Sequence, residues 1–352
     1  MREASMKKPN RLKPGDKVAI VSTSSGMLGE DFAIHKLDIA KQRLKDDYGL
    51  EAVVMPNALK GTDYLYAHPE ARADDLMQAF ADTEIQGIFN AIGGEDAIRL
   101  WPYMNLEIIR QNPKIFTGFS DTTSVHMMMV KAGIHSYYGA SLMNNWAEYV
   151  EINPYTKAAL DKIFFHPEER LEITQSPYFY DDEDEKIWWK AENQHRKKPY
   201  HPDSTSYEIL QGSGRVRGDL FGGCLDVMVS LLGTELWPDK SFFTNKILFL
   251  ETSEANMEAM DIRMLLRNFM TQGIFDEIQG ILIAKPARRS RHEEYKKAFR
   301  DVVGREAGKP NLPIFYNVNF GHAEPIGILP YGVEMEMDLE NKRLFLNEKA
   351  TE

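Results

Sequence analysis

Cysteine is nearly absent from this sequence, and long hydrophobic runs are absent altogether. Cys224 is the only cysteine among 352 residues, so no disulfide can form within the chain and nothing indicates an oxidising compartment. The first apolar run, Val18 to Val21, is far too short for a signal-peptide core or a membrane span. We therefore expect a cytoplasmic protein that has no membrane partner.

An excess of positive charge is also missing. The chain carries 42 lysine and arginine residues against 53 aspartate and glutamate residues, which gives a formal net charge of −11. Nucleic acids and anionic membrane surfaces do not attract such a chain at long range. The sequence therefore predicts no nucleic-acid partner.

The motifs of common cofactor and metal sites are missing as well. No Gly-x-x-x-x-Gly-Lys-Ser/Thr loop is present, and no Gly-x-Gly-x-x-Gly follows the first apolar run. The sequence has no His-Glu-x-x-His, no cysteine pair and no histidine doublet at helical spacing. We expect no cofactor and no metal.

The first 150 residues alternate short apolar runs with amphipathic stretches, which is typical of βαβ units and a parallel sheet. We predict an α/β fold whose N-terminal domain, residues 1–150, has a doubly wound, mainly parallel sheet. Ligands bind such sheets at the carboxyl ends of the strands. The predicted strands are Val18–Val21, Ala52–Met55, Gly87–Ala91, Ile115–Phe119 and Ser136–Tyr138, and the predicted helices are Phe32–Lys45, Pro69–Ala81, Asp96–Leu100 and Thr122–Lys131.

The composition changes after residue 150. Residues 151–211 contain an acidic run at 181–185, two adjacent tryptophans and several prolines, which indicates an interdomain linker and substrate loop. Residues 212–352 open on a glycine-rich stretch and contain a predicted hairpin, Val333–Asp338 with Arg343–Leu346. We predict that this C-terminal domain is β-rich and barrel-like.

Ser120 is the strongest candidate for a nucleophile. It follows the apolar strand Ile115–Phe119 in a Gly-x-Ser turn, at the start of a predicted helix. A serine at such an elbow projects its hydroxyl from a tight bend, and the N–H groups of the helix start can stabilise negative charge. This context predicts a serine that attacks a carbonyl group.

A serine nucleophile needs a base and an orienting acid, and candidates for both lie further along the chain. His322 follows Gly321 in a loop after a predicted strand, whereas His126 lies on the same helix as Ser120 and out of its direct reach. Glu251 ends an apolar strand, and Glu254 can already serve as the dipole-complementing charge of the next helix. We therefore consider His322 as the base and Glu251 as the acid. The alternatives are that His322 is a structural loop residue and that Glu251 caps a helix.

Two adjacent glycines, Gly93 and Gly94, follow the predicted strand Gly87–Ala91. They could form only a turn, but they also allow a ligand to approach the backbone closely. We predict that the N–H group of Gly94 stabilises an oxyanion together with the N–H group of Asp121.

Five motifs together resemble the L,D-carboxypeptidase family of serine peptidases over nearly the whole chain. The resemblance implies a triad of Ser120, Glu251 and His322, an oxyanion hole at Gly94 and Asp121, and a homodimer. Cys224 departs from the asparagine of many relatives. The motifs are Ala-Ile-Gly-Gly-Glu at 91–95, Gly-Phe-Ser-Asp-Thr-Thr at 118–123, Arg-Gly-Asp-Leu-Phe-Gly-Gly at 217–223, Phe-Leu-Glu-Thr-Ser-Glu at 249–254 and Gly-His-Ala-Glu-Pro at 321–325.

The segment 187–193, Ile-Trp-Trp-Lys-Ala-Glu-Asn, resembles the microcin C immunity branch of that family. This resemblance implies an aromatic residue, Trp188 or Trp189, that stacks on a nucleobase, a contact worth about 1–3 kcal/mol. The alternative is that both tryptophans anchor a polar loop. We also expect substrate contacts from Gly93, Glu95 and Arg217.

The predicted activity is metal-free hydrolysis of the amide-type bond between a terminal acidic aminoacyl group and a nucleotide-like moiety. A second hypothesis is an L,D-carboxypeptidase that removes D-alanine from muropeptides, for which Arg217, Lys285 or Arg288 would bind the terminal carboxylate. A third is a binding module for nucleotides without catalysis.

Overall fold

The first sheet of the protein carries the candidate nucleophile. We describe residues 6–181 and 189–352 from a computed structural model. The strands of this sheet are β1 (Lys17–Val21), β2 (Glu51–Val54), β3 (Ile85–Asn90), β4 (Ile115–Gly118), β5 (Tyr137–Tyr138) and β14 (Leu329–Pro330). They have the order β14-β5-β4-β3-β1-β2, and all are parallel except β14, which runs antiparallel to β5.

Helices connect these strands, as the alternation of the sequence predicts. The predicted helix at 69–81 has the same bounds in the structure, because Pro69 fixes its first turn. The predicted helix at 96–100 is instead a 3₁₀ segment from Ala97 to Tyr103 that contains Pro102. The helices of this half are α1 (His35–Tyr48), α2 (Thr62–Ala67), α3 (Pro69–Ala81), α4 (Leu106–Gln111), α5 (Thr123–Ala132) and α6 (Pro154–Leu160).

The second sheet carries the candidate acid and base. Its strands are β6 (Leu171–Ile173), β9 (Glu208–Gln211), β10 (Arg215–Cys224), β11 (Lys246–Glu251), β12 (Gly280–Ala284), β13 (Ile314–Val318), β15 (Glu334–Asp338) and β16 (Arg343–Leu346). They have the order β6-β16-β15-β10-β11-β12-β13-β9. The strands from β10 to β13 are parallel, and the outer pairs are antiparallel.

The α/β fold class is confirmed, but the prediction of a barrel-like C-terminal unit is wrong. In the described part of the chain the sheet is open, with β6 and β9 at its two edges. The strands β11, β12 and β13 are almost fully buried, which is typical of a parallel sheet whose connections are helices. Those helices are α7 (Leu225–Leu231), α8 (Ala259–Thr271) and α9 (His292–Phe299).

The segment between the predicted domains contributes to the second sheet through β6 and β9, and it forms a small antiparallel sheet of β7 (Tyr178–Phe179) and β8 (His201–Pro202). Strand β14 comes from the C-terminal part of the chain yet belongs to the first sheet. The division at 1–150, 151–211 and 212–352 stays a prediction.

The buried apolar residues of both sheets form one continuous core. This packing brings the carboxyl end of β4, where Ser120 follows, next to the carboxyl end of β11, which Glu251 closes. The loop with His322 leaves β13 and leads to β14. No helix in the described ranges is long and apolar enough to cross a membrane.

Candidate active site

Ser120 lies at a strained backbone elbow. Strand β4 ends at Gly118, and a single 3₁₀ turn from Ser120 to Thr122 leads into α5. Ser120 has a φ of 64°, a left-handed conformation that serine rarely adopts. The hydroxyl of Thr123 donates a 2.7 Å hydrogen bond to the carbonyl of Ser120 and closes the turn. Such strain persists only where the surroundings hold it, and it occurs often at active sites.

Gly93 lies directly against this elbow. A β carbon added to Gly93 would be 2.9 Å from Cβ of Ser120, 3.0 Å from its Oγ and 3.5 Å from the backbone nitrogen of Asp121. At Gly94 an added β carbon would lie 2.9 Å from the backbone nitrogen of Ser25. Gly93 therefore leaves open the space beside the Ser120 hydroxyl, where a side chain would not fit, and Gly94 allows the close approach of Ser24 and Ser25.

Glu251 and His322 form a buried pair at the end of β11. Nδ1 of His322 is 2.8 Å from Oε2 and 3.1 Å from Oε1 of Glu251, and the backbone N–H group of His322 donates to Oε2 at 3.0 Å. The Glu251 side chain is only 1% exposed. The carboxylate thus fixes both the backbone and the ring of His322.

Tyr138, at the end of β5, links the two halves of the site. Its hydroxyl donates to Oε1 of Glu251 and accepts a 3.1 Å hydrogen bond from the backbone N–H group of Ser120. Burial, with the Glu251 charge nearby, raises the pKa of Tyr138 well above its usual value, so the phenol stays protonated. Tyr138 is not among the predicted site residues, because its contact with Ser120 depends on the pairing of β5 with β4, which places Tyr138 beside Gly118.

Glu254 occupies the other nitrogen of the histidine ring. Its Oε2 lies 2.8 Å from Nε2 of His322, and its side chain is 56% exposed. The predicted role of Glu254 in the first turn of a helix is wrong, because α8 begins only at Ala259. Ser120 makes no hydrogen bond with His322 in the structure, although both residues are described.

The two carboxylates set the basicity of His322. Burial by itself lowers the pKa of His322, but Glu251 and Glu254 outweigh this effect and raise the pKa well above its usual value. Burial also raises the pKa of Asp121, whose Oδ2 accepts hydrogen bonds from Ser24 Oγ at 2.5 Å and from the N–H group of Ala97 at 2.7 Å. The Asp121 side chain therefore stabilises the turn, and its backbone nitrogen lies close to Gly93.

One cavity of about 250 Å³ unites these elements. It contains Ser120, His322 and both glycines, together with Trp189 and the carboxylates Glu254 and Glu324. Among the described residues, no lysine or arginine lines it. Trp188 lies outside the described residues. The remaining lining residues are Ser25, Met27, Ile92, Phe119, Asn144, Tyr180 and Ala287.

Two of the predicted substrate residues lie elsewhere. Glu95 lines a neighbouring cavity of about 310 Å³ with Ser24, Thr62, Tyr66 and Asp96, and Gly94 and Ser25 border both cavities. Arg217 lies on β10, and its guanidinium is 2.6 Å from Oε2 of Glu336 on β15.

The other candidate anchors for a carboxylate also lie outside the cavity lining. Lys285 is buried in an ion pair with Asp203. Arg288 does not line the cavity that contains Ser120. None of the three predicted anchors is therefore among the described residues that line the cavity beside Ser120.

Cys224, Glu251 and His322 bring three possible metal ligands within 4.8 Å of one another. These groups fit a metal poorly. Burial, with Glu251 and Asp226 nearby, raises the pKa of the Cys224 thiol well above its usual value, whereas metals bind the thiolate. In addition, Nδ1 of His322 is already hydrogen-bonded to both carboxylate oxygens of Glu251. We derive no catalytic step from a metal here.

Two family models match the chain. Residues 18–139 match the LD-carboxypeptidase N-terminal domain, and residues 217–337 match the LD-carboxypeptidase C-terminal domain. The microcin C7 self-immunity protein MccF of Escherichia coli is 25% identical over 284 residues, which cover 79% of this chain and 78% of that protein. A Bacillus subtilis protein named "Probable murein peptide carboxypeptidase" is 26% identical over 352 residues, covering 98% of this chain and 96% of that protein.

Solved structures agree with these matches. The MccF-like protein from Streptococcus pneumoniae, solved in complex with AMP, is 34% identical, covers 94% of this chain and 98% of its own, and has a TM-score of 0.85. MccF in complex with aspartyl sulfamoyl adenosine is 23% identical, covers 98% and 100%, has a TM-score of 0.84, and shows the shared fold. By its two matched domains and its 34% identity to the streptococcal structure, the chain belongs to the LD-carboxypeptidase family and is a serine peptidase.

Proposed function

We propose that this enzyme hydrolyses the amide-type bond that joins an aminoacyl carbonyl to a nucleotide-like group, with Ser120, His322 and Glu251 as nucleophile, base and orienting acid. The observation that carries the proposal is the single cavity that contains the Ser120 elbow, the Glu251-held histidine, the two glycines and Trp189. Acyl transfer to serine requires a nucleophile, a base, an orienting acid and N–H donors for the oxyanion, and Trp189 adds a surface on which a nucleobase can stack.

The first half of the reaction forms an ester on Ser120. Its oxygen adds to the scissile carbonyl carbon while its proton passes to Nε2 of His322. The carbon–nitrogen bond then breaks, the nitrogen leaves with that proton, and the acyl group stays on Ser120. Water that gives a proton to His322 then hydrolyses the ester and restores the hydroxyl. Glu251 stabilises the imidazolium in both halves.

The oxyanion is stabilised by the backbone N–H groups of Gly94 and Asp121. The N–H group of Ser120 itself is engaged by Tyr138, so it is not the donor in this arrangement. The space at Gly93 borders both Ser120 Oγ and the backbone nitrogen of Asp121. This supports the role of Asp121, because a carbonyl oxygen bound in that space would be within reach of its N–H group.

Before attack, Nε2 of His322 must change its hydrogen-bond partner from Glu254 to Ser120. Nε2 is held by Glu254 in the structure, and the same nitrogen has to accept the Ser120 proton. In this exchange Nδ1 stays on Glu251, and the Glu254 side chain, which is more than half exposed, moves away from Nε2.

Two observations favour a nucleotide-like leaving group over a muropeptide. Trp189 lines the cavity and offers a stacking surface, and the streptococcal relative is solved with AMP. A terminal D-alanine carboxylate would need a cation, whereas the described lining of the cavity offers carboxylates. The homodimer and the cytoplasmic location stay predictions.

The test compares wild type with Ser120→Ala by mass spectrometry on aspartyl sulfamoyl adenosine and on an L,D-tetrapeptide muropeptide. We expect wild type to release sulfamoyl adenosine and the variant to release none. Ser124→Ala is the matched control, since Ser124 lies on α5 with a buried hydroxyl outside the cavity. Release of D-alanine instead would make the enzyme a muropeptide carboxypeptidase. Full activity of Ser120→Ala would end the serine mechanism.

A further inference from the structure

Asn144 lines the cavity beside Ser120 but takes no part in the steps proposed above. Its side-chain oxygen, Oδ1, is buried and accepts no hydrogen bond from the part of the chain that the structure describes. Its side-chain nitrogen makes no hydrogen bond to a described residue either. A buried polar atom without a partner is unfavourable, and the few that native proteins keep often have a functional role. Asn144 is therefore a candidate for contact with the substrate.

The backbone around Asn144 is firmly held, although its amide is not. Residues Leu142–Trp146 form a π-helical turn, a rare conformation that occurs often at functional sites. The N–H group of Met143 donates a 3.0 Å hydrogen bond to the carbonyl of Ala91, and Trp146 at the end of the turn is fully buried. The turn therefore fixes the position of the side chain, and the amide can still rotate about its last bond.

The hydrogen bond from Met143 to Ala91 sets where Asn144 lies in the cavity. Ala91 comes two residues before Gly93, and Gly93 borders the Ser120 hydroxyl. Asn144 thus lies on the part of the wall next to the glycines. In a nucleotide-like leaving group, the phosphoryl or sulfonyl group that carries the scissile nitrogen is only two bonds from the reacting carbon. This linking group is therefore the part of the leaving group that comes closest to that wall.

The chemistry of the linking group matches an uncharged donor. Its oxygens accept hydrogen bonds, and a phosphoryl oxygen also carries negative charge. No lysine or arginine is present among the described lining residues, whereas the amide of Asn144 can donate two N–H groups. When the carbon–nitrogen bond breaks, electron density moves to the leaving nitrogen and the group bonded to it. A hydrogen bond to the linking oxygen therefore becomes stronger in the transition state.

We infer that the Asn144 amide binds an oxygen of the phosphoryl or sulfonyl group that links the scissile nitrogen to the nucleoside. The inference rests on the proposed function and names the part of the substrate that this residue contacts. It restricts neither the aminoacyl group nor the nucleobase, because the linking group is common to all these substrates.

The experiment measures the affinity of wild type and of Asn144→Ala for sulfamoyl adenosine and for adenosine by isothermal titration calorimetry. Wild type should bind sulfamoyl adenosine more tightly than adenosine. In Asn144→Ala we expect the affinity for sulfamoyl adenosine to fall about fivefold, the effect of one hydrogen bond, and the affinity for adenosine to stay within about twofold. The thermal unfolding temperature should not fall, because the amide makes no hydrogen bond within the described chain.

Two further variants sharpen the test. Asn144→Asp places a carboxylate beside the linking group, so it should weaken the binding of AMP about tenfold relative to that of adenosine. Asn268→Ala is the matched control, because Asn268 is an exposed asparagine on α8 that does not line the cavity. This control should keep the affinities of wild type for all three ligands.

The outcomes separate the two claims. If Asn144→Ala loses as much affinity for adenosine as for sulfamoyl adenosine, the residue contacts the nucleoside or shapes the cavity, and the inference is overturned. Unchanged affinity for both ligands would overturn it as well. In both cases the proposed function stands as long as wild type cleaves aspartyl sulfamoyl adenosine. If wild type does not cleave that compound, the proposed function fails, and the inference fails with it.

Discussion

The two sheets hold their parts of the cavity by different means. The first sheet fixes Ser120 through its backbone, by the end of β4, a left-handed φ and the turn closed by Thr123. The second sheet fixes His322 through side chains, with Glu251 on one ring nitrogen and Glu254 on the other. The proposed nucleophile, held mainly by backbone geometry, should respond most to neighbours that fill its space. The proposed base, held by two carboxylates, should change whenever either carboxylate is altered.

The largest effect should come from the second sheet. In Glu251→Gln the neutral amide can no longer stabilise the imidazolium or hold the reactive tautomer, so we expect kcat to fall by about 10³- to 10⁴-fold. The measurement is steady-state hydrolysis of an aminoacyl sulfamoyl adenosine, with thermal unfolding as the check on folding. Glu336→Gln removes a buried carboxylate of the same sheet outside the cavity and should keep kcat. A Glu251→Gln enzyme with a tenth of wild-type kcat would show that His322 does not depend on this acid.

Filling the space beside Ser120 is the corresponding test of the first sheet. The methyl group of Gly93→Ala would come within 3.0 Å of Ser120 Oγ and block the place of the oxyanion, so we expect a loss of about 10²- to 10³-fold in kcat. The control is Gly133→Ala, where an added β carbon meets nothing within 4 Å and only the φ of 76° is strained. That variant should lose stability and keep its turnover. Comparable turnover in the two variants would remove Gly93 from the site.

The Tyr138 hydroxyl contacts both the Ser120 backbone and the Glu251 carboxylate, so removing it should have an intermediate effect on kcat. Tyr138→Phe takes away a hydrogen bond to the Glu251 carboxylate and one from the Ser120 backbone while keeping the ring. We expect kcat to fall about tenfold, since a hydrogen bond to a charged group contributes about 1.5–3 kcal/mol. Tyr331→Phe is the matched control, because its buried hydroxyl donates a hydrogen bond to the carbonyl of Gly222 and, among the described residues, to no group of the cavity. Equal losses in the two variants would indicate a packing effect alone.

The smallest effect should be a shift in pH dependence. His322 must be unprotonated to accept the Ser120 proton, so a pKa raised by the two carboxylates makes kcat/KM rise with pH until His322 loses its proton. Removing one carboxylate in Glu254→Gln lowers that pKa and should move the acidic limb of the profile to lower pH. The profile of kcat/KM between pH 5 and pH 9 is the measurement, because this parameter reports the pKa values of the free enzyme. An acidic limb that stays in place would show that Glu254 does not act on the free enzyme.

The sequence predicts the backbone elbow at Ser120 better than the side-chain contacts around His322. The strand-to-helix elbow at Ser120 is a local pattern, and the predicted strand at 115–119 and helix at 122–131 lie within one residue of the observed elements. The pairing of Glu251 with His322 joins residues 71 positions apart, and only the resemblance to a family brought them together. Local patterns report backbone conformation, whereas such contacts depend on how the sheets pack.

The residues that were missed show the same limit. Tyr138 reads as an ordinary strand residue until β4 and β5 are placed side by side, and Glu254 reads as a helix charge until α8 is seen to begin at Ala259. The glycine-rich texture after residue 212 suggested a barrel. The apolar runs of β11 and β12, buried in the structure, were the better guide to an open parallel sheet.

Strand β14 has a consequence for attempts to divide the protein. The strand follows the loop that contains His322 along the chain, and it pairs with Tyr137 and Tyr138 at the edge of the first sheet. A fragment that stops before Leu329 would leave an apolar strand edge uncovered, and uncovered edges pair with other chains. We therefore expect an isolated N-terminal half to aggregate, and co-expression of the two halves to yield soluble protein only when the second half includes Leu329 and Pro330.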